Sequence, residues 1–269
     1  MLPLEDYFND IIGKAMRGLK LTDAQVAAAA GVEARAVEAL RDGTWDAAVA
    51  RRIAPVLGLG ADALAASGEK TWTPAPVAID GLAQFNTPYE DMTVNSYLVW
   101  DPASREAGAF DTGADCSGML ACIAERGLQL GRIFITHTHG DHIFDLDRLR
   151  EKTGAPAVVG SREPTVGAAT FEAGAAFTIG SLRVESRLTW GHSKGGVTFV
   201  VTGLAKPVAI VGDAVFAGSM GGGGVSYEAA LQTNRQEILT LPDETIICPG
   251  HGPLTTVREQ KRHNPFFAK

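Results

Sequence analysis

Cysteine is scarce in this chain, which has three in 269 residues, Cys116, Cys122 and Cys248. A disulfide framework needs more thiols at closer spacing, so the small disulfide-stabilised class of secreted proteins is excluded. We expect the three cysteines to be small apolar fillers of the core. Cys248 stands three residues before a histidine, but core packing is the simpler interpretation there as well.

Basic clusters and long apolar runs are also lacking. Lys and Arg number 24 against 31 Asp and Glu, a net charge of -7, and no basic cluster stands out beyond Lys261-Arg262. Processing a polyanion requires basic surface to offset phosphates, so nucleic acid is not an expected partner. No apolar run is long enough to span a membrane, and the acidic N-terminus lacks the apolar stretch of a secretory signal. We therefore expect a cytoplasmic protein that acts on a small molecule.

Histidine is infrequent too, with six residues, yet five of them stand in segments that also carry glycine or aspartate. Three lie in one stretch of six residues, His137-Thr-His139-Gly-Asp141-His142, directly after an apolar run. The other members of this set, which follow apolar, strand-like runs, are His192, Asp213 and His251. Loops at strand ends carry functional groups on a rigid scaffold. This grouping of imidazoles and carboxylates predicts a metal site.

The spacing inside the six-residue stretch predicts two neighbouring metal positions. An extended segment points alternate side chains the same way, so His137 and His139 can share one metal. A turn at Gly140 then redirects the chain, so that Asp141 and His142 face a second point. Imidazole and carboxylate donors suit zinc, iron, manganese or cobalt, and the residue types do not choose among these metals.

These motifs, in this order, resemble the metallo-β-lactamase superfamily, and the resemblance covers roughly residues 78–269. The segments 94–98, 110–113, 212–216 and 264–267 make the chain similar to the glyoxalase II group, the hydroxyacylglutathione hydrolases. Zinc β-lactamases tend to carry cysteine or serine where this chain has Asp213. We therefore expect β-lactam hydrolysis to be promiscuous at most.

The resemblance implies two divalent metal ions, with zinc expected and iron or manganese as alternatives. It assigns His137, His139 and His192 to the first metal, Asp141, His142 and His251 to the second, and Asp213 to a bridging position. It also suggests that Asp111 orients a ligand imidazole or its loop, although capping a turn is an equally good interpretation of this aspartate.

The same resemblance implies an α/β fold, a four-layer αββα sandwich in which helices flank two mixed sheets. Apolar or alternating runs agree with strands at 96–100, 107–110, 132–135, 157–159, 182–188, 197–201, 208–211 and 245–247. Helical patterns fall at 116–125, 145–151, 227–239 and 257–263. Strands followed by helices are typical of the α/β class.

The first 69 residues predict a small helical domain, joined by a proline-containing linker at 70–77 to a catalytic domain at 78–269. Thr22-Asp-Ala-Gln25 forms a capping box, and Gly31 ends the helix that it opens. This part resembles helix-turn-helix domains of the Cro/repressor type, but Glu33 and Glu38 would repel DNA phosphates. A docking or homodimerisation module is therefore favoured over DNA binding or gating. Deleting residues 1–69 is expected to leave metal binding intact.

The reaction implied is hydrolysis of a small carbonyl substrate by a hydroxide that bridges the two metals. Asp141 would be both ligand and proton shuttle, and Asp213 would hold both metals. A thioester of the hydroxyacylglutathione type is the expected substrate, although no basic helical domain follows His251 as in full-length glyoxalase II enzymes. The alternatives are a lactonase, an iron-dependent persulfide dioxygenase using His137, His192 and Asp213, and a metabolite-sensing DNA-binding regulator.

Four side chains are candidates for the substrate pocket. Met220, Trp190 and Tyr227 are apolar enough to form its wall, and Lys194 is a candidate to meet a substrate carboxylate, although its spacing does not place it there. Packing in the core or at the surface is the alternative for each. The glycines at 221–224 predict a mobile rim beside the site, because four glycines in succession do not order themselves.

Overall fold

Two six-stranded mixed sheets form the centre of the molecule in the computed structural model, which describes residues 2–268. The first sheet has the order β1 (Leu82–Tyr89), β2 (Met92–Trp100), β3 (Glu106–Phe110), β4 (Gln129–Ile135), β5 (Ala157–Gly160) and β6 (Ala168–Phe171). The second has the order β12 (Thr255–Thr256), β11 (Ile246–Pro249), β10 (Val208–Gly212), β9 (Val197–Thr202), β8 (Leu182–Leu188) and β7 (Ala176–Ile179). Strands β3 to β6 are parallel, as are β10 and β11, and the other pairs are antiparallel.

The apolar faces of the two sheets pack against each other in the central core. Phe110 and Phe134 of the first sheet stack with their ring centroids 4.8 Å apart. Phe199 of the second sheet meets them at 5.6 and 5.2 Å, and all three rings are fully buried. Such aromatic pairs contribute roughly 0.5–1.5 kcal/mol beyond the burial of their area. The predicted α/β fold with two mixed sheets is confirmed.

Helices cover the outer face of each sheet. On the first sheet, α6 (Ser117–Arg126) and α8 (Leu146–Thr153) bring Met119 and Leu149 into one cluster with Ile133. The second sheet shares a cluster with α9 (Tyr227–Thr233), α10 (Val257–His263) and residues of the N-terminal helices. The predicted helix at 227–239 changes at Asn234 to a π-helical turn, where the buried amide of Asn234 donates to the carbonyl of Ala214 at 2.7 Å. The wider turn thus coincides with a buried polar side chain that bonds outside the helix.

Five helices precede the sheets: α1 (Phe8–Leu19), α2 (Asp23–Ala30), α3 (Ala34–Arg41), α4 (Ala47–Ile53) and α5 (Ala61–Gly68). The predicted capping box is confirmed, because Thr22 and Gln25 bond each other's backbone, and Gly31 ends α2 with a left-handed φ of 66°. Arg41, on the helix that would enter DNA, forms a bidentate ion pair with Asp23 at 2.7 and 2.8 Å. The helix-turn-helix interpretation and the domain boundaries stay predictions.

The N-terminal helices share one hydrophobic core with the second sheet. Ile11 and Ile12 of α1 belong to the same buried cluster as Val211 and Ile247 of that sheet. A Cβ added at Gly18 would lie 2.2 Å from the Tyr227 ring, so α1 and α9 are in close contact. The packing therefore makes α1 part of the layer that covers the second sheet.

Four strands were not predicted from the sequence: β1, β6, β7 and β12. Every residue of β1 except Pro88 is half-buried, and polar residues such as Gln84 and Asn86 interrupt its apolar pattern. The other three have at most four residues. An edge strand with polar side chains lacks the regular alternation of apolar and polar residues that predicts a strand. A strand of two to four residues is too short to show that alternation.

All of the helices are short. The longest, α1, has 12 residues, whereas a membrane-spanning helix needs about 20. Among residues 2–268, no helix combines the length and the apolar character that crossing a bilayer requires.

Candidate metal centre

Of the five clustered histidines and two aspartates, five side chains lie on loops that follow strands of both sheets. His137 and His139 follow β4, and His192 follows β8 of the other sheet. Asp213 follows β10, and His251 follows β11. Asp141 and His142 lie on the short helix α7 (Gly140–Ile143), which begins immediately after His139. The sandwich thus gathers at one edge seven side chains that are up to 114 positions apart in sequence (137 to 251).

Three imidazoles and Asp213 form the first donor group. Their ligand atoms all lie within 4.8 Å of one another. The Nδ1 atom of His139 is 3.0 Å from the Nε2 atoms of both His137 and His192. The Nε2 atom of His192 is 3.3 Å from Asp213 Oδ2. Nitrogen and oxygen atoms that converge in this way form a donor set suited to a divalent transition metal.

The second donor group is Asp141, His142 and His251, whose ligand atoms also lie within 4.8 Å of one another. Asp213 reaches this group as well: Oδ1 is 3.3 Å from His142 Nε2, and Oδ2 is 3.4 Å from His251 Nε2. Asp213 therefore lies between the two groups. This is the position that a bridging ligand requires.

Two buried atoms at this junction, His142 Nε2 and Asp213 Oδ1, are 3.3 Å apart but do not meet in hydrogen-bond geometry, and neither has another hydrogen-bond partner among the described residues. Leaving a buried polar atom unpaired costs about 1–3 kcal/mol, so such atoms need an explanation. A metal ion coordinated by both atoms would remove that cost. The residues present therefore fit a metal centre.

The charges of the aspartates control protonation of the second group. Burial alone would lower the pKa of His142, but the charges of Asp213 and Asp111 raise this pKa to about 10. Burial also acts to lower the pKa of His251, but the charge of Asp213 and hydrogen bonds to Asp141 and Asp213 raise it to about 11. In the first group, burial lowers the pKa of His137 and of His192.

We predict that metal binding at pH 7 releases about two protons per chain, because His142 and His251 must lose theirs to become ligands. Apparent metal affinity will therefore rise with pH. In the metal-free protein the raised pKa values stabilise the fold below about 6.5, and this stabilisation is lost as the pH rises through 10 to 11. Calorimetric titration in buffers of different ionisation enthalpy measures the proton count. Binding without proton release would contradict the prediction.

Each of four donor histidines has its second ring nitrogen engaged by a neighbouring group. Asp111 Oδ2 is 2.8 Å from His142 Nδ1, and this carboxylate also accepts the backbone N–H and hydroxyl of Thr136. The other contacts are His251 Nδ1 to Thr93 O at 2.7 Å, His192 Nδ1 to Gly222 O at 2.9 Å and His137 Nδ1 to Thr136 Oγ1 at 3.1 Å. Such bonds fix ring orientation and tautomer, so the Nε2 atoms of these four rings are left free to bind metal.

Sequence analysis missed Glu163, a buried residue on the loop after β5. Its carboxylate accepts the backbone N–H of Thr138 at 3.1 Å and that of Gly195 at 2.9 Å. Thr138 lies between His137 and His139, and Gly195 lies three residues after His192. Glu163 thus ties together the two loops that supply the first donor group. No local pattern marks the residue, because its partners are main-chain groups.

We expect Glu163→Gln to weaken metal binding by roughly 10–100-fold, the usual cost of losing a group that supports metal ligands. An amide has one accepting oxygen, and its NH₂ would face one of the two backbone N–H donors. Competition with a chelator measures the affinity, and Glu151→Gln, on the exposed face of α8, is the matched control. Unchanged affinity in both variants would show that Glu163 does not hold the loops.

The glycine-rich segment at 221–224 lies against the site. A Cβ at Gly221 would be 2.8 Å from His192 Nδ1 and 2.0 Å from the Asp213 carbonyl, so only glycine fits this approach. Ser219 and Met220, just before it, are buried, and the Met220 carbonyl accepts a hydrogen bond from Lys14 at 2.9 Å. Gly221 is buried as well, Gly222 and Gly223 are half-buried, and Gly224 is exposed, so the mobile rim stays a prediction.

The structure brings none of the four pocket candidates clearly to the donor groups. Met220 and Tyr227 are in the core cluster, and the ring of Tyr227 packs on Gly18. Trp190 is half-buried, and its carbonyl accepts a bond from Thr233. Lys194 is exposed on the loop that carries His192. Their roles in substrate binding stay predictions.

Comparison with known proteins agrees with this geometry. The model of the metallo-beta-lactamase superfamily matches residues 89–251, more than half of the chain, with all seven clustered side chains inside the match and the five N-terminal helices outside it. "Probable metallo-hydrolase YqgX" of Bacillus subtilis is 31% identical over 182 residues, which cover 59% of this chain and 85% of that protein. "Hydroxyacylglutathione hydrolase GloC" of Haemophilus influenzae is 28% identical over 199 residues, 64% of this chain and 92% of that protein.

Among solved structures, ETHE1 from Myxococcus xanthus superposes with a TM-score of 0.60 at 27% identity, covering 68% of this chain and 83% of that one. The family match and the fold agree with each other. The chain belongs to the metallo-beta-lactamase superfamily.

Proposed function

We propose that the protein is a dinuclear metal-dependent hydrolase of small carbonyl substrates. The observation that carries the proposal is the position of Asp213, whose two carboxylate oxygens lie 3.3–3.4 Å from donor nitrogens of both groups. A carboxylate between two donor groups is what a two-metal site needs. The seven proposed ligands are His137, His139, His192, Asp213, Asp141, His142 and His251.

Two divalent metals held there would supply Lewis-acid activation of water and of the substrate carbonyl. We propose zinc, with iron and manganese as alternatives. The protein's own contribution is orientation: Asp111 holds the ring of His142, and Glu163 holds the loops of the first donor group.

Asp141 is proposed as the residue that moves a proton, as well as a ligand. Burial acts to raise its pKa, but the hydrogen bond to His251 and the charge of His142 lower it, so the group is ionised at neutral pH. An ionised carboxylate can accept a proton from attacking water and deliver it to a leaving group.

The second donor group favours hydrolysis over persulfide oxidation. A mononuclear enzyme would bind its metal through His137, His192 and Asp213. It would not use Asp141, His142 and His251 as metal ligands. Here these three converge within 4.8 Å, and the buried His142 Nε2 lacks a partner. The likeness to ETHE1 keeps the oxidation as the second candidate function. The likeness to GloC supports a thioester as the first substrate class to test.

The experiment is S-lactoylglutathione hydrolysis by full-length protein whose metal content has been measured. A kcat/KM of about 10⁴ M⁻¹s⁻¹ or above, the usual enzyme range, with two metals per chain would support the thioesterase proposal. Background rates on thioesters and lactones with both sites filled would overturn it. Oxygen consumption with a persulfide by the iron-loaded protein would favour the second candidate.

A further inference from the structure

The metal centre is open to solvent beside His139 and Gly140. These two residues are exposed, whereas His137, His142, His251 and Asp213 are buried. A substrate can therefore reach the centre past His139 and Gly140, and it would then contact the side chains beside them.

Two aromatic rings stand beside this opening. Phe144 continues the helical backbone of α7 and lies three residues after Asp141, about one helical turn along the chain. The Tyr89 hydroxyl lies close to Gly140, since a Cβ added there would be 2.9 Å from it. The Tyr89 and Phe144 rings meet edge to face, with centroids 5.6 Å apart and planes at 75°. Together they form a wall next to the opening, which we call the aromatic wall.

The surface around the aromatic wall carries apolar side chains that are exposed to water. Phe144 is 66% exposed, and Met92, on the same β1–β2 hairpin as Tyr89, is 44% exposed. Met92 precedes Thr93, whose carbonyl is 2.7 Å from His251 Nδ1. Exposed apolar groups that gather beside a functional site mark a binding surface rather than packing.

The charges around the opening are mostly negative. The hairpin tip carries Glu90 and Asp91, both exposed. On the other side Glu5 packs on Gly252, next to His251, with a Cβ on Gly252 only 3.6 Å from the Glu5 Cβ. Lys194 is the exposed cation on the loop that carries His192. Arg162, also exposed, packs on Gly195 of that loop, so the carboxylates are concentrated at the hairpin tip and near Gly252. A negative charge on the part of the substrate that lies beside these carboxylates is disfavoured.

We propose that the aromatic wall, Tyr89 and Phe144, is a subsite for the apolar acyl chain of the substrate. The substrates that fit are thioesters that join a hydrocarbon acyl group to an uncharged carrier. This inference rests on the proposed hydrolase function and specifies its substrate class. Each methylene group that leaves water completely on binding raises the affinity a few-fold. A subsite that covers the methylene group only partly raises the affinity by less.

The test compares thioesters of N-acetylcysteamine with acyl chains from acetyl to octanoyl, using the metal-loaded, full-length enzyme. We expect kcat/KM to rise with chain length by roughly tenfold or more across the series. Phe144→Ala should flatten this dependence, mainly through KM, at unchanged metal content. Leu19→Ala, an apolar residue on α1 that is 42% exposed, is the matched control and should keep the wild-type dependence.

The two proposals fail in different ways. If lactones and thioesters of every acyl length and of glutathione all stay at background with both metals bound, the hydrolase proposal itself is overturned. If only lactones are hydrolysed, the hydrolase proposal stands and the acyl subsite for thioesters is overturned. If thioesters are hydrolysed without dependence on acyl length, or if Phe144→Ala keeps the full dependence, the aromatic wall is not the acyl subsite. Tyr89→Phe keeps the ring and should behave as wild type in this series, whereas Tyr89→Ala should resemble Phe144→Ala.

Discussion

The Asp213→Ala variant will bind at most one metal ion per chain and lose about 10³-fold or more in kcat/KM. Asp213 is the side chain whose oxygens approach both donor groups, at 3.3 Å from His142 and His192 and 3.4 Å from His251. Its removal leaves Asp141 as the one carboxylate among the proposed ligands to offset two cations. Metal catalysis is worth several kcal/mol of transition-state stabilisation, which converts to this loss of rate.

The measurement is metal content by elemental analysis, with kcat/KM determined on the same preparation. Asp243→Ala is the matched control, because its carboxylate lies at the surface in an ion pair with Lys261 at 2.7 Å. Asp213→Asn separates charge from shape: it keeps the volume and should still lose metal. Two tightly bound metals and wild-type turnover in Asp213→Ala would end the bridging assignment.

The two donor groups could be predicted from the sequence because four of their seven residues stand close together in the chain. Six positions hold His137, His139, Asp141 and His142, and an extended segment followed by a turn already divides them into two groups. Strands β10 and β11, which precede Asp213 and His251, are buried throughout and appear as apolar runs. Strand β8, predicted at 182–188, precedes His192 and alternates in its first five residues between buried positions and exposed or half-buried ones. Ligands that are close in sequence and strands with a regular burial pattern can therefore both be predicted from the sequence.

The residues that the sequence did not reveal act through distant or main-chain partners. Glu163 bonds backbone N–H groups that are 25 and 32 positions away, which leaves no pattern of residue types. Tyr89 and Phe144 are 55 positions apart (89 to 144) and meet only because β1 and α7 border the same opening. The packing of α1 on the second sheet could not be predicted from the sequence either. An amphipathic helix shows which of its faces is buried but not which sheet it covers.

Deleting residues 1–69 will yield a chain that is insoluble or lacks a cooperative unfolding transition. Val211 and Ile247 of the second sheet share their core with Ile11, Ile12 and Leu64, which the deletion removes. A buried aliphatic side chain contributes roughly 1.5–3 kcal/mol, so losing several of them matches the whole stability of about 5–15 kcal/mol of a typical domain. Two separately folding domains, as the composition of the sequence suggested, would give the opposite result.

The deletion also removes polar contacts beside the metal centre. Buried Asp6 accepts a hydrogen bond from Ser219 at 2.6 Å and pairs with Lys14, which in turn donates to the Met220 carbonyl at 2.9 Å. This segment leads directly to Gly222, whose carbonyl is 2.9 Å from His192 Nδ1. The N-terminal part therefore holds the loop that orients a proposed ligand, in addition to covering apolar surface.

Soluble yield, thermal unfolding and metal content of the truncated chain measure both effects. Asp6→Asn should keep the fold but lower metal affinity, because the loop loses a charged anchor while the core is intact. Asp23→Asn, which weakens the exposed ion pair with Arg41 in the same group of helices, should leave metal affinity unchanged. A soluble truncated chain with two metals and a sharp transition would show that the sandwich folds without α1 to α5. The shared core would then be a docking contact between two stable domains.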